Sequence, residues 1–259
     1  MANLNQLNEA LNRYVRPQTP PVAVRMVTSQ DELPERVRFP KRDMCLLMPL
    51  CQGMSIARRY GLVIAMGVED MNCAYSPVVL GFLPPKKRFL DGDFPWPPMP
   101  QEARARLMKD LKFLEYGKYH YVVMAPIHRA TFEPHFVVLY TSPAQVSRLI
   151  QGAAFMSGKL PQASAWAAFT CSAVFAGTIL EDDYQAVVGG TGERILALVQ
   201  DNESAFTIPA SKIDELILGL AESEKTPVFR YPFPSWLRFQ AQMPEEHQKI
   251  KEYLSREGE

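Results

Sequence analysis

The chain opens on a helical repeat. In "MANLNQLNEALNRYV", Leu4, Leu7 and Leu11 fall three and four residues apart, the spacing of one helix face. "RPQTPPVAVRMV" then predicts a proline-led extended entry into a strand at Val22–Val27. A polar, proline-punctuated connection, "TSQDELPERVRFPKRD", follows. Pro49 suits the first turn of a helix running to about Tyr60, with Gly61 as its stop. "LVIAMG" has the look of a short buried strand, and "CAYSPVVLGF" of a short helix or turn closed by glycine. "YHYVVMAPI" and "HFVVLYT" predict two more strands. "SPAQVSRLIQGAAFMSG" predicts a helix capped by Ser142 with Pro143 at its first position.

Elsewhere the pattern is looser. "PQEARARLMKDLKFLEYG" predicts an amphipathic helix from near Pro100 to Gly117, and "ASAWAAFTCSAVFAGT" a closely packing helix of small residues. "YQAVVGG", "ERILALVQ" and "ESAFTIPA" suggest short strands, and "PEEHQKIKEYLSREGE" a charged helix. "VVGGTGERIL" lacks the Lys-Ser/Thr ending of a phosphate loop and is expected to be a hairpin turn with glycines at positive φ. Helices and strands interleave without a regular βαβ repeat. The expected class is therefore α+β, or mixed α/β, with packed helices on a largely antiparallel or mixed sheet. One domain over 1–259 is expected, with a cysteine-bearing half, 1–117, and a strand-rich half, 118–259, as the natural subdivision. Residues 83–100, "LPPKKRFLDGDFPWPPMP", are too rich in proline for regular structure yet carry Phe89, Phe94 and Trp96. A loop of this length is either a lid or interface, or a packed excursion.

Composition narrows the function. With 28 basic and 28 acidic residues in 259, no global field recruits nucleic acid or an anionic membrane. The first residues carry neither a basic nor an apolar signal region, and no apolar run approaches the length of a membrane span, so a cytoplasmic protein is expected. A reducing compartment disfavours disulfides between the four cysteines.

Those cysteines are Cys45, Cys51, Cys73 and Cys171, and none forms a Cys-x-x-Cys pair. Cys51 falls in a predicted first helical turn, where free N–H groups and the helix dipole favour a thiolate; Cys73 precedes a short helix. Buried small residues, metal ligands and a reactive thiol all remain open on residue pattern alone. "PIHRATFEPH" sets His128 and His135 on either side of a loop, with Glu133 between, for acid–base work or simple solvation. Arg194 is a candidate to hold a carboxylate.

The ordered set "PPVAVRMV", "CQGMSIARRYG", "CAYSPVVLGF", "FEPHFVVLYTSPAQVSRLIQGAAFMSG" and "GGTGERILALVQDNESAFTIPASKIDELILGL" resembles the prokaryotic family called domain of unknown function 169, common in anaerobes and archaea. The resemblance runs from about Pro20 to Leu220. It maps the family's cysteines onto Cys51, Cys73 and Cys171; Cys45 is outside the pattern. Relatives carry a further cysteine where this chain has Gly189 and Gly190. The resemblance implies an iron–sulfur protein of anaerobic metabolism, with a 4Fe-4S cluster on Cys51, Cys73 and Cys171. Cys45 would be the fourth ligand, or one iron would stay open. Such a protein would transfer electrons to a redox partner protein or act as a Lewis acid on a small-molecule substrate, as a monomer or homodimer. Two alternatives stand beside it. One is a metal-free module holding a small ligand under the 83–100 loop with help from Arg194. The other is a thiol enzyme with Cys51 or Cys73 as nucleophile and His128 or His135 as base. For a cluster, the Leu50–Tyr60 helix and the following strand must fold back so that Cys51 and Cys73 meet. Cys171 would then approach on small residues, Ala167, Ala168, Ser172 and Ala173, beneath Phe94 or Trp96.

Overall fold

Most positions of the strand-forming segments are buried, the odd and the even ones alike, which suits a sheet covered on both faces. The computed structural model of the chain describes residues 3–165, 169–234 and 242–256. Its strands are β1 (Val22–Val27), β2 (Ile64–Met66), β3 (Tyr121–Pro126), β4 (Phe136–Thr141), β5 (Gln162–Ala165), β6 (Gln185–Val188) and β7 (Ser204–Pro209). They form one seven-stranded sheet in the order β2-β3-β1-β4-β7-β6-β5. Every pairing is antiparallel except β5 with β6, so the sheet is mixed and the fold is α+β. Strand β1 lies between β3 and β4, with Val22 opposite Pro126 on one side and Val138 on the other.

The helices are α1 (Leu4–Tyr14), α2 (Pro40–Met44), α3 (Leu50–Tyr60), α4 (Ser76–Val79), α5 (Lys87–Leu90), α6 (Gln101–Asp110), α7 (Pro143–Ser157), α8 (Thr178–Glu181), α9 (Thr191–Ala197), α10 (Ile213–Ser223) and α11 (Glu245–Arg256). The period-two alternation of the strands sorts them into two layers. Ala23, Val137, Leu139, Phe206 and Ile208 face α1, α7 and α10, where Leu7, Leu11, Leu149, Leu216 and Leu220 close one core. Helices α7 and α10 cross at Gly152 and Gly219; a Cβ on Gly219 would lie 2.0 Å from the Gly152 carbonyl oxygen. On the opposite face Val24, Met26, Val122, Met124 and Val138 pack against Met54 and Ala57 of α3 and against Val174 and Phe175. Those last two residues belong to Ser172–Gly177, a π-wound stretch that feeds α8. No described helix is long and apolar enough to cross a membrane.

Three segments depart from the sequence expectation. Helix α6 ends at Asp110, and the backbone beyond it runs beside the turn after α4 instead: Leu114 N–H donates to Val79 and Gly117 N–H to Gly81, each at 2.9 Å. Gly81, at φ 73°, is required there, because a Cβ would lie 2.4 Å from the Glu115 carbonyl oxygen. The small-residue stretch is divided between β5 and the segment entering the π-wound helix; Ala167 and Ala168 lie outside the described residues. "ERILALVQ" contributes to α9 rather than a strand. Helical spacing puts Glu193 and Ala197, one turn apart, on the buried side and leaves Ile195 and Leu196 exposed. Gly190 enters α9 in an extended conformation, φ −79°, so no positive-φ hairpin forms.

Candidate metal centre

Three elements on the α3 face deliver the cysteines. Pro49 precedes α3 with extended φ and ψ, and Cys51 is the helix's second residue. Gly53 lets the helix sit against the sheet, since a Cβ there would lie 2.6 Å from Met66 Sδ. After β2 the chain turns through 68–70 and is stapled back to the entry of α3. Met48 N–H donates to Asp70 (3.1 Å), Asn72 N–H to Met48 (3.4 Å) and Asn72 Nδ2 to Leu47 (3.0 Å). Cys73 is the next residue, so the return strand carries it to the start of α3. Cys171 immediately precedes the π-wound stretch, and π-bulges recur at functional sites. Two residues earlier Phe169 adopts φ 63°, a left-handed conformation that is strained for a bulky side chain.

Cys51, Cys73 and Cys171 are partly buried and lie within electrostatic reach of one another, pair by pair. Burial pushes the Cys51 thiol up to about 12, reinforced by the Glu193 carboxyl and then by Cys73. Cys171 is raised well above the ordinary thiol range, first by burial, then by Cys73, Cys51 and Glu193; a hydrogen bond with Ser76 opposes the rise. The dipole at the start of α3 is thus outweighed by desolvation, and Cys51 is a protonated thiol rather than the activated thiolate expected at a helix start.

Glu193 joins the three thiols from α9. It is 6% exposed; Tyr140 Oη donates to its Oε1 at 2.7 Å. A hydrogen bond from Thr170, whose Oγ1 also accepts from Gly190 N–H at 2.9 Å, favours the charged form of the carboxylate. Burial raises the Glu193 pKa despite Tyr140, Thr170 and Arg58. A Cβ on Gly189 would stand 2.6 Å from Oε2, which explains that glycine. Behind Tyr140, its guanidinium 4.6 Å from the ring centre, is the fully buried Arg58. It donates from both terminal nitrogens to Glu203, at 2.7 and 2.8 Å. Burial alone would raise Glu203, but this bidentate pair lowers it. Arg58 is therefore committed to Glu203, and no cation makes direct contact with the thiols or Oε2 among the described residues.

Aromatic rings cover the residues flanking two of the cysteines. Tyr75 meets Phe169 edge-on at 4.6 Å and contacts Phe89 and Phe94 of the 83–100 segment at 6.0 and 5.9 Å. Phe94 takes the covering position; Trp96 is half exposed and is tied in through its carbonyl, which accepts from Tyr75 Oη.

The remaining sequence candidates go elsewhere. Cys45, expected as a fourth ligand, follows α2 at φ 54°, exposed and outside these interactions. Arg194 does not enter a ligand pocket: its Nη1 donates to the Gln200 carbonyl at 2.6 Å. His135 Nδ1 accepts from Met26 N–H at 3.2 Å, and burial and its Arg25 and Lys118 neighbours lower its pKa; His128 is exposed on a turn. Neither sits with the thiols as a catalytic base. A cavity of about 1120 Å³ is lined by four arginines (Arg25, Arg36, Arg38 and Arg129), by Glu32 and Glu35 and by mostly apolar neighbours, with nothing from the 83–100 segment. Among the described residues, no three His, Cys, Asp or Glu side chains are arranged to hold a metal ion.

A family model described as uncharacterised ArCR, domain of unknown function 169, matches residues 10–219. The chain belongs to this family. No curated protein and no solved structure matches it. The span of domain of unknown function 169 takes in all seven strands, the three thiols, Tyr140, Glu193 and the Arg58–Glu203 pair, and leaves α11 outside. Glu193 and Tyr140 are the site residues that sequence reasoning missed. The one local signal for Glu193 is its helical spacing to Ala197, which the strand-like reading of "ERILALVQ" concealed.

Proposed function

We propose that the protein is a cytoplasmic iron–sulfur protein of anaerobic metabolism in which Cys51, Cys73 and Cys171 hold a 4Fe-4S cluster. The observation that carries this reading is the convergence of these three thiols, drawn from α3, the turn after β2 and the entry to the π-wound segment. Soft sulfur donors suit iron, and a cluster keeps its cysteines farther apart than a single ion does. That is compatible with thiols in mutual electrostatic reach but not arranged around one metal ion. When bound, the group would supply electron transfer, or Lewis acidity at an iron without a cysteine.

The chain's own residues supply the rest. A thiol must lose its proton to ligate, and for Cys51 and Cys171 burial among acidic neighbours makes that loss unfavourable until positive charge arrives. The Ser76 hydrogen bond stabilises the anionic form of Cys171. Tyr75, Phe94 and Phe169 limit water beside Cys73 and Cys171. A small-molecule substrate or a redox protein is the expected partner.

Anaerobic reconstitution with iron and sulfide, followed by metal analysis and an absorption spectrum, tests the proposal. A brown protein with iron and sulfide in cluster ratio is expected, and its loss in the Cys51→Ser, Cys73→Ser, Cys171→Ser triple variant. A colourless wild-type protein without iron overturns it.

A further inference from the structure

We infer that the arginine-lined cavity of about 1120 Å³ is a binding site for a small organic anion, a phosphate or carboxylate group carried on an apolar body. The inference is independent of the thiols and of any cluster. The cavity arises where the helical layer on one face of the sheet gives way to irregular chain. Period two sets Ala23, Arg25 and Val27 on the same face of β1. At Ala23 that face packs in the core closed by α1, α7 and α10. At Val27, Ala65 and Val123 it is covered by Leu33, Val37 and Phe39, from the segment that follows β1. Arg25 sits between the two cores, the one charged residue in a strand otherwise buried throughout, and it lines the cavity.

The lining combines the two properties such a ligand requires. Leu33, Val37, Leu62, Val63 and Phe132 give apolar walls. Four arginines stand against two carboxylates, Glu32 and Glu35, so four positive charges less two negative leave two in excess. The chain as a whole balances 28 basic against 28 acidic residues, so this excess is local. Glu32 is already held: it accepts from Thr28 N–H at 2.9 Å, from Ser29 N–H at 3.2 Å and from one nitrogen of Arg25 at 3.2 Å. Arg129 gives Nη1 to the Gly61 carbonyl at 2.6 Å. Arg36 and Arg38 are exposed, and their side chains make no hydrogen bond or ion pair among the described residues. The backbone under Arg38 is nonetheless fixed. Its N–H donates to Val63 at 2.8 Å and its carbonyl accepts from Ala65 N–H at 2.9 Å, adding a rung beside β2. Like charges gathered over apolar walls repel one another and focus a positive field, which a bound anion relieves. The planar guanidinium fork matches the paired oxygens of a carboxylate or phosphate, and the apolar walls favour an organic body over a bare inorganic ion.

Calorimetric titration of the full chain with phenyl phosphate, phthalate, inorganic phosphate and benzyl alcohol tests the inference. One site per chain is expected for phenyl phosphate or phthalate, and the tighter of the two identifies the acid group. Inorganic phosphate should bind about tenfold more weakly or worse, and benzyl alcohol not at all. The double variant Arg36→Gln, Arg38→Gln should weaken the organic anion by about tenfold or more. Its melting temperature should match wild type, because neither guanidinium has a partner in the fold. On wild-type protein, the bound anion should protect Arg36 and Arg38 from modification by phenylglyoxal, read by peptide mapping. That measurement keeps the inference testable even where the double variant does not fold. No saturable binding of either organic anion in the millimolar range overturns it. So does binding of inorganic phosphate or benzyl alcohol as tight as that of the organic anions, equal affinity in the double variant, or absence of protection at Arg36 and Arg38.

Discussion

Tyr140, on the central strand β4, donates its hydroxyl hydrogen to Glu193 Oε1 at 2.7 Å, joining the sheet to α9 through one buried bond. The two residues lie 53 positions apart in sequence and meet only in the folded chain. In Tyr140→Phe the Oε1 oxygen loses its hydrogen-bond donor, a loss of about 1–3 kcal/mol for a buried acceptor left unpaired. Urea unfolding of the metal-free protein should register it. A change within error would show that water already solvates the carboxylate.

The Arg58–Glu203 pair behaves differently, because both partners are charged and buried. Arg58→Met should destabilise the fold by about 3 kcal/mol, since Glu203 loses its bidentate buried partner and keeps only the partly exposed Arg59, 3.3 Å away, as a cation. Pairing it with Glu203→Leu should recover much of that loss. A double-mutant cycle with strictly additive losses would refute the coupling.

Thiol reactivity should separate Cys45 from the rest. In metal-free protein at neutral pH, iodoacetamide should modify exposed Cys45 first. Cys51, with its pKa pushed up to about 12, should present roughly a thousandfold less thiolate than an ordinary cysteine. Peptide mapping after a short pulse decides the order; rapid labelling of Cys51 would restore the nucleophile reading.

The same shift ties stability to alkaline pH. The folded state holds the Cys51 proton more tightly than the unfolded chain does. The stabilisation is therefore complete below the unfolded thiol pKa of 9.0 and is lost as pH rises through about 12. Denaturation midpoints of metal-free protein should fall above about pH 9, and fall less steeply in Cys51→Ala. Equal slopes for the two proteins would contradict the assignment.

Away from the site, Gly219→Ala should be among the more damaging small substitutions. The added Cβ would meet the Gly152 carbonyl oxygen at 2.0 Å, a backbone atom with little room to retreat. Forcing α7 and α10 apart should cost about 1–3 kcal/mol or more and lower the melting temperature without changing iron content. A melting temperature equal to wild type would show that the crossing is looser than the backbone contact indicates.

Local chemistry in the sequence determined the elements whose signals agree with one another. Val22–Val27, the run from Pro49 to Gly61, and Ser142 before Pro143 all became the strand or helix they announce, because period, cap and stop coincide there. The sequence also pointed to the family, through an ordered set of segments rather than any local spacing. Tertiary structure decided the rest. Helix α6 stops early because residues near Leu114 find backbone partners beside Val79 and Gly81 that helix continuation would forfeit. Residues near Gly190 enter a helix because only that winding puts Glu193 beneath Tyr140 while burying Ala197. Whether a thiol at a helix start is a reactive anion or a protonated, buried group also lies beyond the sequence. Burial and charged neighbours set it, and Cys51 acquires Glu193 and Cys73 only when distant segments pack together.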